Sequence, residues 1–372
     1  MNEPDNTPAT GSLPDMQQLL TVIRTMVGEV HPHWKNLHFT ADTHLERELG
    51  LDSMARMELR MRIDREMGVE LDEQAAMSAT TPHELLRAIH ASLTGQNPDK
   101  LQPAASSDEN PADLLLGEFS CDELPHAGRH AHHSLADWLY AIYCWPVFIV
   151  LAIISWFVVV LTPGRDLRQK LGRGLARLLF RATFIPLTVN GREHINRERP
   201  LVIVANHASY LDGFIVTAAL DIPVHFIVKG ELSRILIVRL ILQRFGVEFV
   251  DRFNAQRGAS SVRRIARKSK KGHSLVFFPE GTFISFAGLQ PFRMGAFVTA
   301  ARSDTPVLPL AIEGARNIVR GDHWFPRPGR ITVTICPPVE PEGSSWQDAL
   351  KLRDAARREI SAWCGEPDMI EL

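Results

Sequence analysis

Three textures of apolar and polar positions follow one another along the chain, and each predicts a different architecture. In residues 14–93, Met16, Leu19, Leu20, Ile23 and Met26 recur at helical spacing behind Pro14-Asp15, which can open a helix. A polar loop leads to Leu51. Beyond Ser53, Leu59, Ile63 and Met67 stand four apart, and Gly68 is placed to end that helix. "TTPHELLRAIHASL" sets Thr and Pro before an acid in the first turn, which predicts a last helix. The whole is a small all-helical unit, and a core of this size supplies only modest stability.

The second texture is a run without charge, "WLYAIYCWPVFIVLAIISWFVVVLT" at 138–162, long enough to cross a hydrocarbon core. It gives way to "PGRDLRQKLGRGLARLLFRATF", where Arg165, Arg168, Lys170, Arg173, Arg177 and Arg181 face the single acid Asp166. A basic amphipathic helix beside an apolar run suits an anionic membrane surface, and the positive-inside bias puts that side in the cytoplasm. Residues 135–184 are therefore expected to be membrane-embedded and basic amphipathic helices. The third texture begins at 185: "LVIVAN", "VHFIV", "VEFV", "SLVFFPE", "VLPLAI" and "ITVTIC" each fit a mostly buried strand, separated by stretches long enough for crossovers. Residues 185–365 thus predict an α/β domain. Residues 94–134, rich in Pro, Ser, Asp, Asn and Gly, predict a flexible linker.

Composition narrows the classes. A chain of 372 residues exceeds one usual domain, and a formal net charge of −2 argues against a nucleic-acid binder. Cys121, Cys144, Cys336 and Cys364 are scattered and form no CxxC pair, so neither a disulfide scaffold nor a zinc finger is expected, and a reducing compartment is. The polar opening "MNEPDNTPATGSLPD" lacks the apolar core of a secretory signal. His126, His130, His132 and His133 lie in the linker, where no second shell would organise a metal, and no metal site is expected.

Chemistry gathers in the third region. "LVIVAN" runs into His207 and then Asp212, and the carboxyl ends of strands in open α/β sheets are where ligands meet side chains. A histidine there can take a proton from a hydroxyl, and a carboxylate can fix its tautomer, provided a turn or helix start brings the two together. "FFPEGT" places Glu280 and Gly281 after a strand, where glycine can bring backbone N–H groups near an anion, and Arg252 and Arg293 offer cationic donors suited to phosphate. Taken singly, each of these residues is as readily a cap or a surface charge.

In order, "NHASYLD", "VKGEL", "GVEFVDR", "FPEGT", "FRMGAF" and "VLPLAI" resemble the glycerolipid acyltransferase family of the 1-acylglycerol-3-phosphate acyltransferase type, over about residues 185–340. The resemblance implies a mixed-sheet α/β fold with His207 as general base and Asp212 as its orienting partner. It implies Lys229, Glu231 and Leu232 behind the acyl channel, and Gly246, Phe249 and Arg252 in a phosphate-contacting block. Glu280, Gly281, Thr282 and Arg293 are implied at the acyl acceptor, with Pro309 shaping the site. Phe283 stands where the family commonly has Arg or a small polar residue, which leaves open lysophosphatidate or another lysolipid as acceptor. No Gly-x-Ser-x-Gly elbow is visible, so direct attack of the acceptor hydroxyl on a thioester is expected rather than a covalent acyl-enzyme.

A thioester donor gives meaning to "LGLDSMARMELRMRID", which resembles acyl carrier protein over residues 14–93. The resemblance implies a four-helix carrier with 4′-phosphopantetheine on Ser53, attached by a phosphopantetheinyl transferase. It also implies an acidic helix, with Glu58, Asp64 and Glu66, that meets basic enzyme surfaces. The expected protein is an acyltransferase moving a fatty acyl group from an acyl carrier or acyl-CoA to a lysophospholipid. Its carrier would be loaded by a separate acyl-activating enzyme, receive chains from fatty-acid or polyketide synthesis, or only regulate. The basic run 263–271 reads as a docking surface, a membrane-facing patch or a solvated face.

Both domains must share one side of the membrane, so Trp145-Pro146 and the apolar stretch after the basic run predict a re-entrant hairpin on the cytoplasmic face of a bacterial-type inner membrane. Two alternatives stay open: an acyl-CoA-dependent lysophospholipid or aminolipid acyltransferase with a vestigial carrier, and a non-enzymatic lipid-binding scaffold.

Overall fold

A computed structural model of the chain describes residues 14–34, 38–94, 135–230, 235–250, 255–281, 287–319 and 325–369. Contacts divide the chain into two units, Met1–Leu115 and Leu116–Leu372. Residues 95–134, where a flexible linker is expected and which include four histidines and Cys121, lie outside the described residues.

Among its described residues the first unit holds four α-helices: α1 (Met16–Val30), α2 (Ser53–Met67), α3 (Glu73–Ser78) and α4 (Pro82–Thr94). Asp15 opens α1 with a capping box, accepting from Gln18 N at 2.7 Å, and Gly68 closes α2 in the left-handed conformation that a β-carbon disfavours. Leu19, Ile23 and Met26 of α1 are sealed with Leu59 and Ile63 of α2 and Ile89 of α4.

The expectation of an acidic α2 is corrected by its arginines. Four of them on this helix, Arg56, Arg60, Arg62 and Arg65, accompany three acids, and the acids Glu58 and Asp64 are partnered. Arg62 grips Glu29 at 3.0 and 2.7 Å and Glu58 at 3.2 Å, Arg60 lies 3.6 Å from Asp64, and Arg56 donates to the Met77 carbonyl at 2.8 Å.

The second unit opens with α5 (Leu135–Leu161) and α6 (Arg165–Ala182). These run antiparallel: Tyr140 and Tyr143 near the start of α5 donate to the carbonyls of Thr183 and Ala182 at 2.8 and 2.7 Å, and Arg168 donates to Thr162 O at 2.9 Å. Pro146 lies within α5 without ending it.

Then follow β1 (Leu187–Asn190), β2 (Val202–Ala205), α7 (Asp212–Ala219), β3 (Val224–Lys229), α8 (Leu236–Phe245), β4 (Glu248–Val250), α9 (Ala255–Lys270) and β5 (Ser274–Phe277). α10 (Gly295–Ser303), β6 (Val307–Glu313), α11 (Ala315–Ile318), β7 (Ile331–Ile335) and α12 (Trp346–Trp363) complete the unit. The strands form one sheet in the order β1-β7-β6-β2-β5-β3-β4, parallel throughout except where β7 meets β6. β2 lies between β5 and β6, and the connection from β2 to β3 passes over β5 while that from β5 to β6 passes over β2. The carboxyl end of β2 is thus a topological switch point, the crevice where such sheets bind ligands.

The basic residues of α6 are largely spent inward. Arg173 and Arg177 donate to Ile222 O and Ala218 O at 3.1 and 2.9 Å, Arg168 reaches Arg244 O as well as Thr162 O, and Arg165 bonds His225. The headgroup-facing reading of this helix therefore narrows to Lys170 and Arg181, which are exposed. α9 is similar: Arg264 and Lys268 both pair with Glu248.

Just past β2, Asn206 extends the sheet with its side chain, donating Nδ2 to Ile312 O at 2.9 Å and accepting from Ile312 N at 2.7 Å, at 2% exposure. Asn206→Ala strands both Ile312 groups in a dry site and is expected to cost about 2–4 kcal/mol. A urea titration followed by tryptophan fluorescence, six of the seven tryptophans lying beyond residue 134, reads this as a lowered midpoint.

Candidate active site at the carboxyl end of β2

His207 sits in the turn that joins β2 to α7, and Asp212 is the first residue of α7, so a helix start folds the five-residue spacing back on itself. His207 Nδ1 lies 2.7 Å from Asp212 Oδ2. The same oxygen accepts the backbone N–H of Ala208 at 2.7 Å and of Ser209 at 2.8 Å, while Asp212 is fully buried and the His207 side chain keeps 20% of its surface. A carboxylate acceptor at Nδ1 makes that nitrogen the donor and leaves Nε2 as the basic one. The ring stacks on Phe278, centroids 4.5 Å apart and planes 25° apart, which fixes its tilt. Ser209 Oγ donates to Val319 O at 2.8 Å and ties the turn to the segment after α11.

Glu280 lies behind the histidine rather than in the open. One of its oxygens accepts His207 N at 2.6 Å and the other Gln290 N at 2.9 Å, with the residue 6% exposed. Each of its oxygens thus accepts one backbone N–H. Burial pushes its carboxyl up to about 8 against the pull of those two donors, and the nearby Glu366 adds to the rise. Gly281 has φ 82 and gives its N–H to Phe278 O at 3.0 Å, so the glycine makes a tight turn and this donor serves the turn rather than an anion.

Arg293 is exposed near this loop, its backbone N–H held by Pro279 O at 2.9 Å. Arg252, Thr282, Phe283, Glu231 and Leu232 lie outside the described residues. Gly246 caps α8 at φ 99, Phe249 is in β4, and Pro309 of β6 is paired with Val204. Three contributors were missed by sequence reasoning: Asn206, Phe278, and the Arg316–Glu366 pair, whose carboxylate lies just beyond α12. Asn206 and Phe278 adjoin the motifs, and an amide directly after a buried strand is a readable signal for a strand extension.

Beside the histidine turn is a cavity of about 270 Å³ with an almost wholly apolar wall. Tyr210, Leu211 and Phe214 from the turn and α7 face Cys144 and Phe148 of α5 and Phe180 of α6 across it. An apolar chain fits such a space and a charged group does not. In the first unit, Asp52 caps α2 by accepting from Met54 N and Ala55 N at 3.1 and 2.8 Å. Ser53 follows as the first helical residue, half-buried, and its hydroxyl is not needed for the cap.

Residues 186–313 match the family model described as Acyltransferase, and residues 19–89 match that described as Phosphopantetheine attachment site. A 1-acyl-sn-glycerol-3-phosphate acyltransferase of Chlamydomonas reinhardtii is 27% identical over 219 residues, 58% of this chain and 64% of the algal protein. A putative 1-acyl-sn-glycerol-3-phosphate acyltransferase of Caenorhabditis elegans is 30% identical over 179 residues, 47% of this chain and 63% of the nematode protein. The chain thus spans somewhat less than two thirds of the length of these relatives. The crystal structure of the 1-acyl-sn-glycerophosphate (LPA) acyltransferase from Thermotoga maritima shares the fold, with a TM-score of 0.53 at 24% identity over 62% of this chain and 97% of that one. The α/β unit is thus similar to 1-acyl-sn-glycerol-3-phosphate acyltransferases in sequence, and the helical unit ahead of it matches a phosphopantetheine-attachment domain.

Proposed function

We propose that the chain transfers a fatty acyl group from a thioester donor to the hydroxyl of a lysophospholipid such as 1-acylglycerol-3-phosphate, with His207 as general base and Asp212 as its orienting partner. The observation that carries this reading is the 2.7 Å bond between His207 Nδ1 and Asp212 Oδ2 beside an apolar cavity at the sheet's switch point. His207 Nε2 takes the proton of the acceptor hydroxyl as its oxygen attacks the thioester carbonyl, and the imidazolium returns that proton to the departing sulfur. Asp212 stabilises the imidazolium between the two steps and, pinned by two backbone N–H groups, does not turn away. The related enzymes are named for the 1-acyl-sn-glycerol-3-phosphate acceptor, which supports the same acceptor class here.

A 4′-phosphopantetheine arm on Ser53 would supply the thiol that holds the acyl group as a thioester. The residues fit it: Asp52 relieves Ser53 of capping, and the α2 N-terminus favours the phosphate that would be attached there. A phosphopantetheinyl transferase would attach the arm. A carrier joined to its acyltransferase raises the local donor concentration without new contacts, so the donor we favour is the chain's own carrier, with acyl-CoA second.

Membrane association rests on α5, whose 27 residues, about 40 Å, are long and apolar enough to cross a bilayer. Ile142, Ile149, Ile153 and Phe157 on this helix are exposed. Because α6 runs back along α5 and is bonded to the sheet domain by Gln169, Arg173 and Arg177, a transverse α5 would draw those polar groups into hydrocarbon. We read the pair as lying in one leaflet on the cytoplasmic face of a bacterial-type inner membrane.

Three outcomes are expected. His207→Ala lowers transfer to lysophosphatidate by about 10²–10⁴-fold in a detergent assay that follows thiol release; unchanged turnover contradicts the mechanism. Intact-mass measurement of chain made with a phosphopantetheinyl transferase gains roughly 340 Da, and Ser53→Ala does not. Epitope tags at the two ends are reached from the same side of oriented vesicles; opposite sides would refute the one-leaflet reading.

A further inference from the structure

Beyond α12 the chain returns to the loop that follows Glu280, and two buried arginines hold it there. Arg316, 7% exposed, makes a two-point bond to Glu366, Nε to Oε1 at 2.7 Å and an Nη to Oε2 at 2.8 Å. Glu366 Oε2 also accepts Gly288 N at 2.9 Å. Arg357, likewise 7% exposed, pairs with Asp368 and donates to Leu289 O at 2.9 Å and Gln290 O at 2.5 Å, its guanidinium lying 4.9 Å over the Phe292 ring. Backbone completes the link: Leu289 N donates to Pro367 O at 2.8 Å and Met369 N to Leu289 O at 3.3 Å, a one-residue parallel bridge of Leu289 to Asp368.

Gly288 lets the two segments meet. Its φ is 151, and a β-carbon there would fall 2.4 Å from Met369 Sδ. The next residue but one, Gln290, gives its N–H to the Glu280 carboxyl, whose other oxygen holds His207 N. An unbroken set of charged and backbone bonds therefore runs from residues 366–369 to the backbone beneath the histidine ring. Packing alone does not demand two desolvated arginines and two carboxylates in a terminal segment, because ion pairs of this kind are costly to bury and are readily replaced by apolar contacts.

Resting on the acyl-transfer reading of His207, we propose that Glu366 and Asp368 are positioning residues: held by Arg316 and Arg357, they fix residues 288–290 and, through Glu280, the backbone that carries the catalytic imidazole. They touch neither substrate, so their loss acts on turnover and not on affinity. A displacement of the order of an ångström at a general base costs one to two powers of ten in rate.

The test uses the full chain in detergent, with Glu366→Gln, Asp368→Asn and Gly288→Ala. Each is expected to lower kcat about tenfold or more, with KM for thioester and lysophospholipid unchanged within about twofold, and Glu366→Asp should recover part of the loss. Hydrogen exchange supplies a readout independent of activity: peptides covering 206–209 and 288–291 exchange faster in the variants, while those of β7 do not. Unchanged kcat and exchange, or a raised KM at constant kcat, would overturn the proposal. A variant that loses protection across the whole sheet shows a merely structural role and also counts against it. Should wild-type chain transfer no acyl group, the functional reading falls on its own. The exchange experiment then still decides the strap, faster exchange at 206–209 supporting the mechanical link and unchanged exchange refuting it.

Discussion

Asp212 Oδ2 is the point on which the site turns. One buried carboxylate oxygen receives the His207 ring and the N–H groups of Ala208 and Ser209, so the turn after β2 has a single compact solution. An unpaired carboxylate would be costly in so dry a place, and donors from the turn itself offset that cost at Oδ2, while Oδ1 is buried without a hydrogen-bond partner. The other sides of the turn are fixed by polar side chains used as backbone substitutes. Asn206 prolongs the pairing with β6, Ser209 bonds the segment after α11, and Glu280 staples His207 N to Gln290 N. The ring is thereby oriented in advance, as the proposed general base requires if its geometry is not to be assembled at each turnover.

Much of this was legible in the sequence, and the rest fails for identifiable reasons. The buried strands announce themselves as apolar runs, and β2, β3, β4, β5, β6 and β7 fall in the expected segments. β1, Leu187–Asn190, was missed because it lies at the sheet edge, alternates between half-buried and exposed, and its first three residues end the apolar stretch that reads as part of a membrane hairpin. The His207 and Asp212 pair is local, five residues apart, and a turn was the one condition it required. The two backbone bonds of Glu280 were not legible, because a strand-terminal glutamate followed by glycine looks the same in sequence whether it faces a ligand or its own backbone. The Arg316 bond to Glu366 joins residues 50 apart, and no local pattern marks such a partner.

Arginine explains the two charge readings that changed. Charge counted along a helix says nothing of where a long side chain delivers its head. On α2, Arg62 and Arg60 are beside Glu58 and Asp64, so the carrier's second helix does not present free acids at those positions. On α6, Arg168, Arg173 and Arg177 deliver to carbonyl oxygens at the ends of neighbouring elements, where a planar guanidinium satisfies acceptors that the fold leaves open. The same bonds that spend this charge fasten α6, and with it the apolar α5, to the sheet. The wall of the apolar cavity is then made jointly by α5, α6 and the histidine turn. A lipid-soluble substrate would meet the imidazole without crossing open water.

The central claim is that His207 moves an acyl group held by this chain's own carrier onto a lipid hydroxyl. A single-turnover experiment tests it most directly: the carrier is charged with a radiolabelled fatty acyl group on the Ser53 arm, lysophosphatidate is added, and label is followed from protein to lipid. The account predicts rapid transfer in wild-type chain and label retained on the protein in His207→Ala. Equal rates of loss in the two, or label appearing as free fatty acid in place of the diacyl product, would contradict it.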